Sequence, residues 1–178
     1  MKSHCKWIAA AAFAGCFSLY AQTGANFANE AKQAYEHIQQ NILKAAQEMR
    51  EEDYSFQPTP EIRTFGQLVA HIAEAQAHYC SMAEGSHTQF NASSRTTKAD
   101  LIAALEESNK TCDAAYSNLN DSNMSTTVGS GARSHSKLAL LYGNIAHDNE
   151  EYGYMAVYLR LKNQTPPSSQ GHGMPARH

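Results

Sequence analysis

The sequence predicts an all-α protein folded as a four-helix bundle. Four segments place their apolar residues at the three-to-four-residue spacing of one helix face, and clusters of proline, glycine and polar residues separate them. No segment of useful length alternates apolar and polar residues as a strand would. With 178 residues, 42% of them apolar, the chain is long enough for one domain with a buried core.

The first predicted helix covers about residues 26–50. Its apolar stripe consists of Phe27, Ala31, Ala34, Ile38, Ile42, Ala45 and Met49. The loop after it contains Pro58 and Pro60, which exclude a continuing helix because proline lacks the backbone donor and clashes with the preceding turn.

The second and third predicted helices begin at capping patterns. Thr64 is followed three residues later by Gln67, the spacing of a capping box, and this helix ends near Gly85. Thr97 and Asp100 have the same spacing at the start of the third helix, after a polar linker.

The fourth and longest predicted helix covers about residues 137–162. The chain after it, residues 166–178, is rich in proline, glycine and serine, and we expect it to be a disordered tail. The helical domain is therefore expected within residues 22–165.

Residues 1–21 have the pattern of a secretory signal peptide. Lys2 and Lys6 precede or flank an apolar stretch, Trp7–Leu19, and Ala21 supplies a small residue at the cleavage position. The stretch is short for a membrane span, and the signal peptide would be removed by cleavage. The mature chain is therefore expected to have no membrane span. The protein is expected in the periplasm or secreted. In a less favoured variant, Cys16 lies in a weak lipoprotein box and is acylated.

Cleavage after Ala21 would leave two cysteines, Cys80 and Cys112. In an oxidising compartment a remaining pair favours one disulfide, although two buried free thiols are the alternative. Each cysteine lies about 15 residues into its helix, so the two stand at the same height only if the second and third helices are parallel. A disulfide therefore predicts an up-down-down-up bundle.

Three residues could hold a metal ion. His147 and Glu151 are four residues apart in the fourth helix and point in similar directions, and His71 lies in the second helix. Two imidazoles and a carboxylate that converge in a bundle can bind one divalent ion and leave coordination positions open. The formal net charge of −3 argues against a nucleic-acid partner.

The segments YSFQPTPEIRTFGQLVAHIAEAQ and NIAHDNEEYGYMAVYLRLKNQTPPSS resemble the DinB-like superfamily of four-helix bundles, and in particular its exported bacterial branch. The resemblance covers about residues 27–169. It implies an up-down-down-up bundle and a site of three histidines, one in the second helix and an H-x-x-x-H pair in the fourth. His71 and His147 match this pattern, whereas Glu151 stands where the third histidine is expected. The carboxylate is thus expected to alter the preference of the site, with zinc, nickel, manganese or iron as candidate ions.

Two functions follow from this pattern. The first is an exported metal-binding protein, with metal-dependent transferase or hydrolase as the candidate enzyme classes, since a bound ion activates a coordinated thiol or water. The alternative is a non-enzymatic helical binding module whose metal site has degenerated. The ligand is expected to be a small molecule of unknown identity, and the sequence is compatible with a homodimer.

Overall fold

The structure of the protein, a computed structural model, describes residues 26–171 without the side chain of Arg133. Its four long helices are α1 (Phe27–Glu48), α2 (Phe65–Ala83), α3 (Lys98–Asn118) and α4 (Lys137–Leu161). A short antiparallel pair, β1 (Thr127–Val128) and β2 (His135–Ser136), closes the loop before α4. None of the described helices is long and apolar enough to cross a membrane. The predicted signal peptide, residues 1–21, lies outside the described residues.

Side-chain caps fix where the helices begin. In the capping box of α2, the Gln67 amide N–H donates to Thr64 Oγ1 at 3.2 Å and the Thr64 N–H donates to Gln67 Oε1 at 2.9 Å. The other three helices each have a residue whose side chain accepts from a first-turn amide: Asn26, Thr97 and Ser136. The predicted helix boundaries agree with the structure to within about two residues.

Contacts between helices establish the direction of each one. Along α2 and α3 the contacting pairs rise together in number: Gln76 with Ser108, Cys80 with Cys112, and Glu84 with Asn118. The two helices are therefore parallel. Along α2 and α4 the order is reversed, from Arg63 with Tyr158 to Glu84 with Lys137, so these helices are antiparallel.

The position of α1 completes the bundle. Tyr35 contacts Asn109, and the carbonyl of Met49 accepts from Lys98, so α1 runs antiparallel to α3. Helix α1 packs mainly against α3 and α4, and α2 packs mainly against the same two helices, which places α1 and α2 at opposite corners. The fold is the predicted up-down-down-up bundle.

The interior consists of two apolar clusters with a polar layer between them. One cluster gathers around Phe65, Leu105 and Met155, and the other around Tyr116 and Leu141. Along α2, α3 and α4 the residues between the clusters are buried and polar, namely Gln76, Ser108, Asn144 and Asp148. This polar layer lies at the height of the predicted metal ligands and supports the site described below.

The chain after α4 differs from expectation in its first part. Residues 166–171 pack on the bundle, and Pro167–Ser169 form a short 3₁₀ helix with Pro166 and Pro167 buried. Gln170 donates to the Glu48 carboxylate at 2.7 Å, and Arg160 donates to Ser169 at 3.0 Å. The expected disordered tail therefore does not begin at residue 166, because these contacts hold the segment against α1 and α4. Residues 172–178 lie outside the described residues.

Candidate metal centre

Helices α2 and α4 bring His71, His147 and Glu151 to one point. The two Nε2 atoms lie 3.2 Å apart, and Glu151 Oε1 lies 3.5 Å from each of them. His147 and Glu151 occupy successive turns of α4, and the antiparallel α2 presents His71 opposite them. Within the described range these three residues form the group of donor atoms that could hold a metal ion.

The distances among the three donor atoms fit one ion. A tetrahedral ion with ligand bonds of 2.0–2.1 Å separates its donor atoms by about 3.3–3.4 Å. The three edges observed here, 3.2, 3.5 and 3.5 Å, lie close to that value. In addition, Glu151 Oε2 is buried without a hydrogen-bond partner. A buried carboxylate oxygen normally has a partner, so this second oxygen is available to a further group bound at the site.

One side of the triad is open. The side chains of His71 and His147 are 32% and 18% exposed, whereas that of Glu151 is 9% exposed. The carboxylate thus forms the floor of the site and the imidazoles form its rim. Three protein ligands with one accessible side is the arrangement of catalytic metal sites, in which a coordination position is left for water or substrate.

Two clefts meet at His71. The first, here called the arginine cleft, has a volume of about 380 Å³ and is lined by Arg63, Gly66, Gln67, Ala70, His71, Glu74, Ser93 and Arg95. The second, here called the tyrosine cleft, has a volume of about 540 Å³ and is lined by His71, Ala75, His78, Tyr79, Met82, His135, Ala139, Leu140 and His147. Both volumes lie in the range of small-molecule sites.

The pKa values of the two histidines shift in opposite directions. Burial lowers the pKa of His71, and the charge of Arg63 lowers it further against the opposing effect of Glu151. The Asp148 carboxylate beside Nδ1 raises the pKa of His147 despite partial burial, and Glu151 adds to the increase. His71 is therefore held in the neutral form that binds metals, whereas His147 binds a proton more readily than an ordinary histidine.

Asp148 is fully buried behind His147. Its Oδ2 accepts from Gln76 Nε2 at 3.0 Å and from Asn144 Nδ2 at 3.2 Å. Its Oδ1 faces His147 Nδ1 at 3.8 Å, and neither of these buried atoms has a hydrogen-bond partner. Burial raises the pKa of Asp148. A movement of about 0.9 Å would convert this contact into a hydrogen bond that orients His147 for coordination through Nε2.

Sequence alone does not distinguish Asp148 from the acidic residues near it. Glu74, Asp148 and Glu150 look like solvated charges in sequence, with one of them available to hydrogen-bond a ligand imidazole. Glu150 is exposed, and Glu74 accepts two hydrogen bonds from Ser93, but Asp148 is buried in the polar layer. Helix periodicity contained a weak signal for this layer, since Gln76 and Asn144 interrupt otherwise apolar faces.

The sulfur atoms of Cys80 and Cys112 lie at disulfide-bonding distance, with their Cα atoms 5.0 Å apart. Cys112 is close to the polar layer, since its sulfur lies 3.4 Å from the carbonyl oxygen of Gln76. Both cysteines are fully buried in the second apolar cluster and are separate from the metal-ligand group. The pair therefore joins α2 to α3 and contributes no ligand to the site.

Comparison with known proteins identifies the family. The sequence model of the DinB superfamily matches residues 34–155, more than half of the chain. The chain belongs to the DinB superfamily. No curated protein matches it by sequence. Membership agrees with the helical bundle, and the matched range includes His71, His147 and Glu151.

Solved structures of other DinB-like proteins share this fold. A DinB-like protein from Bacillus cereus ATCC 10987 superposes with a TM-score of 0.68 at 20% sequence identity, over 78% of this chain and 95% of that one. A DinB-like protein from Bacillus subtilis superposes with a TM-score of 0.64 at 19% identity, over 77% of this chain and 94% of that one. At these identities the similarity supports the fold alone.

Proposed function

We propose that this DinB-superfamily protein binds one divalent metal ion through His71, His147 and Glu151. The observation that carries the proposal is the triangle of donor atoms, with edges of 3.2, 3.5 and 3.5 Å, at the junction of two clefts. Without an ion, two imidazole nitrogens at this distance can share only one proton, and Glu151 Oε2 keeps no partner. An ion would use the lone pairs of all three ligands.

The candidate reaction classes are metal-dependent transfer and hydrolysis. A bound divalent ion supplies a Lewis acid that lowers the pKa of a coordinated thiol or water. The protein's own contribution would be to hold His147 through Asp148, to place one negative charge at the site through Glu151, and to admit a small molecule through the clefts. The carboxylate ligand favours zinc, nickel, manganese or iron over softer ions.

Metal analysis after dialysis tests the proposal. Wild-type protein equilibrated with zinc or manganese and then dialysed is expected to keep about one ion per chain, whereas His147→Ala should keep little. His78→Ala is the matched control, because His78 is an exposed histidine of the tyrosine cleft outside the ligand group. Equal and negligible metal in wild type and His147→Ala would reject the proposal and favour the non-enzymatic binding module.

We further propose that the protein is exported. The amino-terminal pattern of residues 1–21 supports this, as does a buried cysteine pair at disulfide-bonding distance, since such pairs persist in oxidising compartments. Amino-terminal sequencing of protein recovered from the periplasmic and secreted fractions is expected to begin at Gln22. A chain that begins at an acylated Cys16 would favour the lipoprotein variant, and an uncleaved cytoplasmic chain would contradict export.

As part of the metal-binding proposal, we expect the protein to bind a small molecule and not a nucleic acid. The charge of −3 supports the second point, because binding to a phosphate backbone requires a positive surface. A homodimer is a separate prediction, and light scattering of the purified protein would measure it directly.

A further inference from the structure

The arginine cleft contains two cationic side chains beside the metal centre of a chain whose net charge is −3. Arg63 precedes α2, and Arg95 lies in the connection between α2 and α3, so the two guanidinium groups approach the cleft from different segments. The metal ligand His71 lines the same cleft. A ligand in this cleft would therefore contact both arginines and the metal centre.

Arg63 is available to a ligand. Its backbone is anchored, because its carbonyl oxygen accepts from the Tyr158 hydroxyl. Its guanidinium forms no ion pair with any side chain between residues 26 and 171, and the residue is exposed. Its charge also reaches His71, whose pKa it lowers. The cleft thus contains a cation without an ion-pair partner, on an anchored backbone, near the proposed reaction centre.

Arg95 is held in place by the protein. Its guanidinium lies 2.7 Å from the Glu107 carboxylate, donates to the Asp100 carbonyl at 3.3 Å and stacks 5.6 Å from the centre of the Phe90 ring. The acidic residue that lines the cleft, Glu74, accepts from the Ser93 amide and hydroxyl at 2.8 and 2.7 Å. These two bonds hold Glu74 Oε1 against the loop, and Arg95 is already paired with Glu107. Arg63 is therefore the cation of the cleft that has no ion-pair partner among the described residues.

We propose that the arginine cleft binds the carboxylate or phosphate group of a small acidic substrate. A guanidinium presents paired donors that match both oxyanions, and such charge-assisted hydrogen bonds are about twice as strong as neutral ones. The volume of about 380 Å³ suits a small molecule whose remaining part extends over His71. Calling this ligand a substrate rests on the proposed function, whereas the oxyanion site itself does not.

The test uses metal-free protein, so that an anion cannot bind through the ion. Inorganic phosphate and glutarate are titrated separately by calorimetry, with dimethyl glutarate as the uncharged analogue. Saturable binding of phosphate, glutarate or both is expected, and the pattern shows which oxyanion the cleft prefers. Arg63→Gln should weaken that binding by about tenfold or more, and Arg63→Lys should weaken it less because the charge is kept.

Lys110→Gln is the matched control, because it removes one positive charge from an exposed position of α3 outside the cleft. Binding of neither anion, or an equal loss in Lys110→Gln and Arg63→Gln, would overturn the cleft proposal. Metal retention by the wild type is measured in parallel. Retained metal with no anion binding in the wild type rejects only the cleft, whereas anion binding by a wild-type chain that never retains metal rejects only the metal function.

Discussion

Asp148 is a charged residue that the bundle buries completely, with hydrogen bonds to only one of its two oxygens. Gln76 and Asn144 donate to Oδ2, and Oδ1 faces the imidazole of His147. Burying a carboxylate in this way costs free energy, because the residue loses hydration that two neutral donors replace only in part. We infer that the carboxylate serves to orient His147, since an acceptor at Nδ1 leaves the Nε2 lone pair free for a metal.

The substitution Asp148→Asn separates this role from stability. The new side chain can accept from Gln76 and Asn144, but its amide would donate to His147 Nδ1 and thereby favour a proton on Nε2. We expect metal affinity, measured by competition with a chromogenic chelator, to fall by about 10- to 100-fold. The melting temperature of the metal-free protein should stay the same or rise, because a buried charge has been removed.

The control for this variant is Glu150→Gln, which removes the same charge from an exposed residue of the same helix. It should leave metal affinity within about twofold of wild type, since exposed charges contribute little. If Asp148→Asn binds metal as tightly as Glu150→Gln does, Asp148 has no orienting role.

The pH dependence of metal binding follows from the opposite pKa shifts of His71 and His147. Binding requires neutral imidazoles, so a proton on His147 competes with the metal below its pKa, which Asp148 raises above the usual 6.5. His71 has a lowered pKa and loses metal only at more acidic pH. As the pH is lowered, metal affinity should therefore begin to fall before pH 6.5 is reached. The fall should be about tenfold per pH unit at first, and steeper at the more acidic pH where His71 is also protonated.

In Asp148→Asn the onset of this fall should move to lower pH, because the carboxylate that raises the pKa of His147 is gone. Chelator competition between pH 5 and 8 measures both curves. Identical onsets in the two proteins would contradict the assignment of the raised pKa to Asp148.

At the scale of single residues, the sequence could predict that the three candidate ligands converge, but not what supports them. His147 and Glu151 are four residues apart, so helix geometry alone places them together, and His71 lies in a helix of the same predicted bundle. The position of Asp148 beside His147 in sequence gives no indication that it is buried. Its burial depends on how α4 packs against α2 and α3, which local periodicity indicates only weakly.

At the scale of helices, the pairing of α2 with α3 depends on both packing and the cysteine pair. The two helices are parallel neighbours, and Cys80 and Cys112 meet in the second apolar cluster. Parallel neighbours require a connection that returns along the full helix length, here residues 84–97. A bond between the cysteines restrains this long connection in the unfolded chain, which is where a disulfide exerts most of its effect.

The double substitution Cys80→Ser, Cys112→Ser tests this restraint. For the sequence separation of 32 residues, chain entropy predicts that the free energy of unfolding falls by roughly 3–4 kcal/mol. Urea denaturation of the oxidised wild type and the double variant measures the difference. Reduced wild type is the control, since it lacks the bond without the new hydroxyls. If oxidised and reduced wild type unfold at the same urea concentration, the cysteines do not form a stabilising bond.

Helix boundaries and direction were predictable for different reasons. The boundaries depend on local signals such as the Thr64–Gln67 capping box, which can be recognised in the sequence itself. The parallel direction of α2 and α3 required a nonlocal restraint, which the equal depth of the two cysteines provided. The segment at residues 166–171 was misjudged because its composition is typical of disorder, whereas its order depends on contacts with Glu48 and Arg160.

At the scale of the whole molecule, the polar layer divides the hydrophobic core into two clusters. An uninterrupted apolar core would be more stable than one that contains Gln76, Asn144 and Asp148, because buried polar groups contribute little net stability even when hydrogen-bonded. The layer lies directly behind the His71–His147 pair. The bundle thus gives up some stability at the height of the candidate metal centre, which is expected where a site must be held in a fixed geometry.

A bound ion should restore stability to the whole bundle, because it joins α2 to α4 and binds only the folded state. At a free metal concentration 100 times the dissociation constant the gain is about 2.7 kcal/mol, which corresponds to an increase in melting temperature of roughly 5–10 °C. Differential scanning calorimetry with zinc and after chelation measures the increase. His78→Ala should keep it and His71→Ala should lose it, and metal-free His71→Ala should be as stable as metal-free wild type. A melting temperature that does not respond to zinc, manganese, nickel or iron in the wild type would show that His71, His147 and Glu151 form no metal centre.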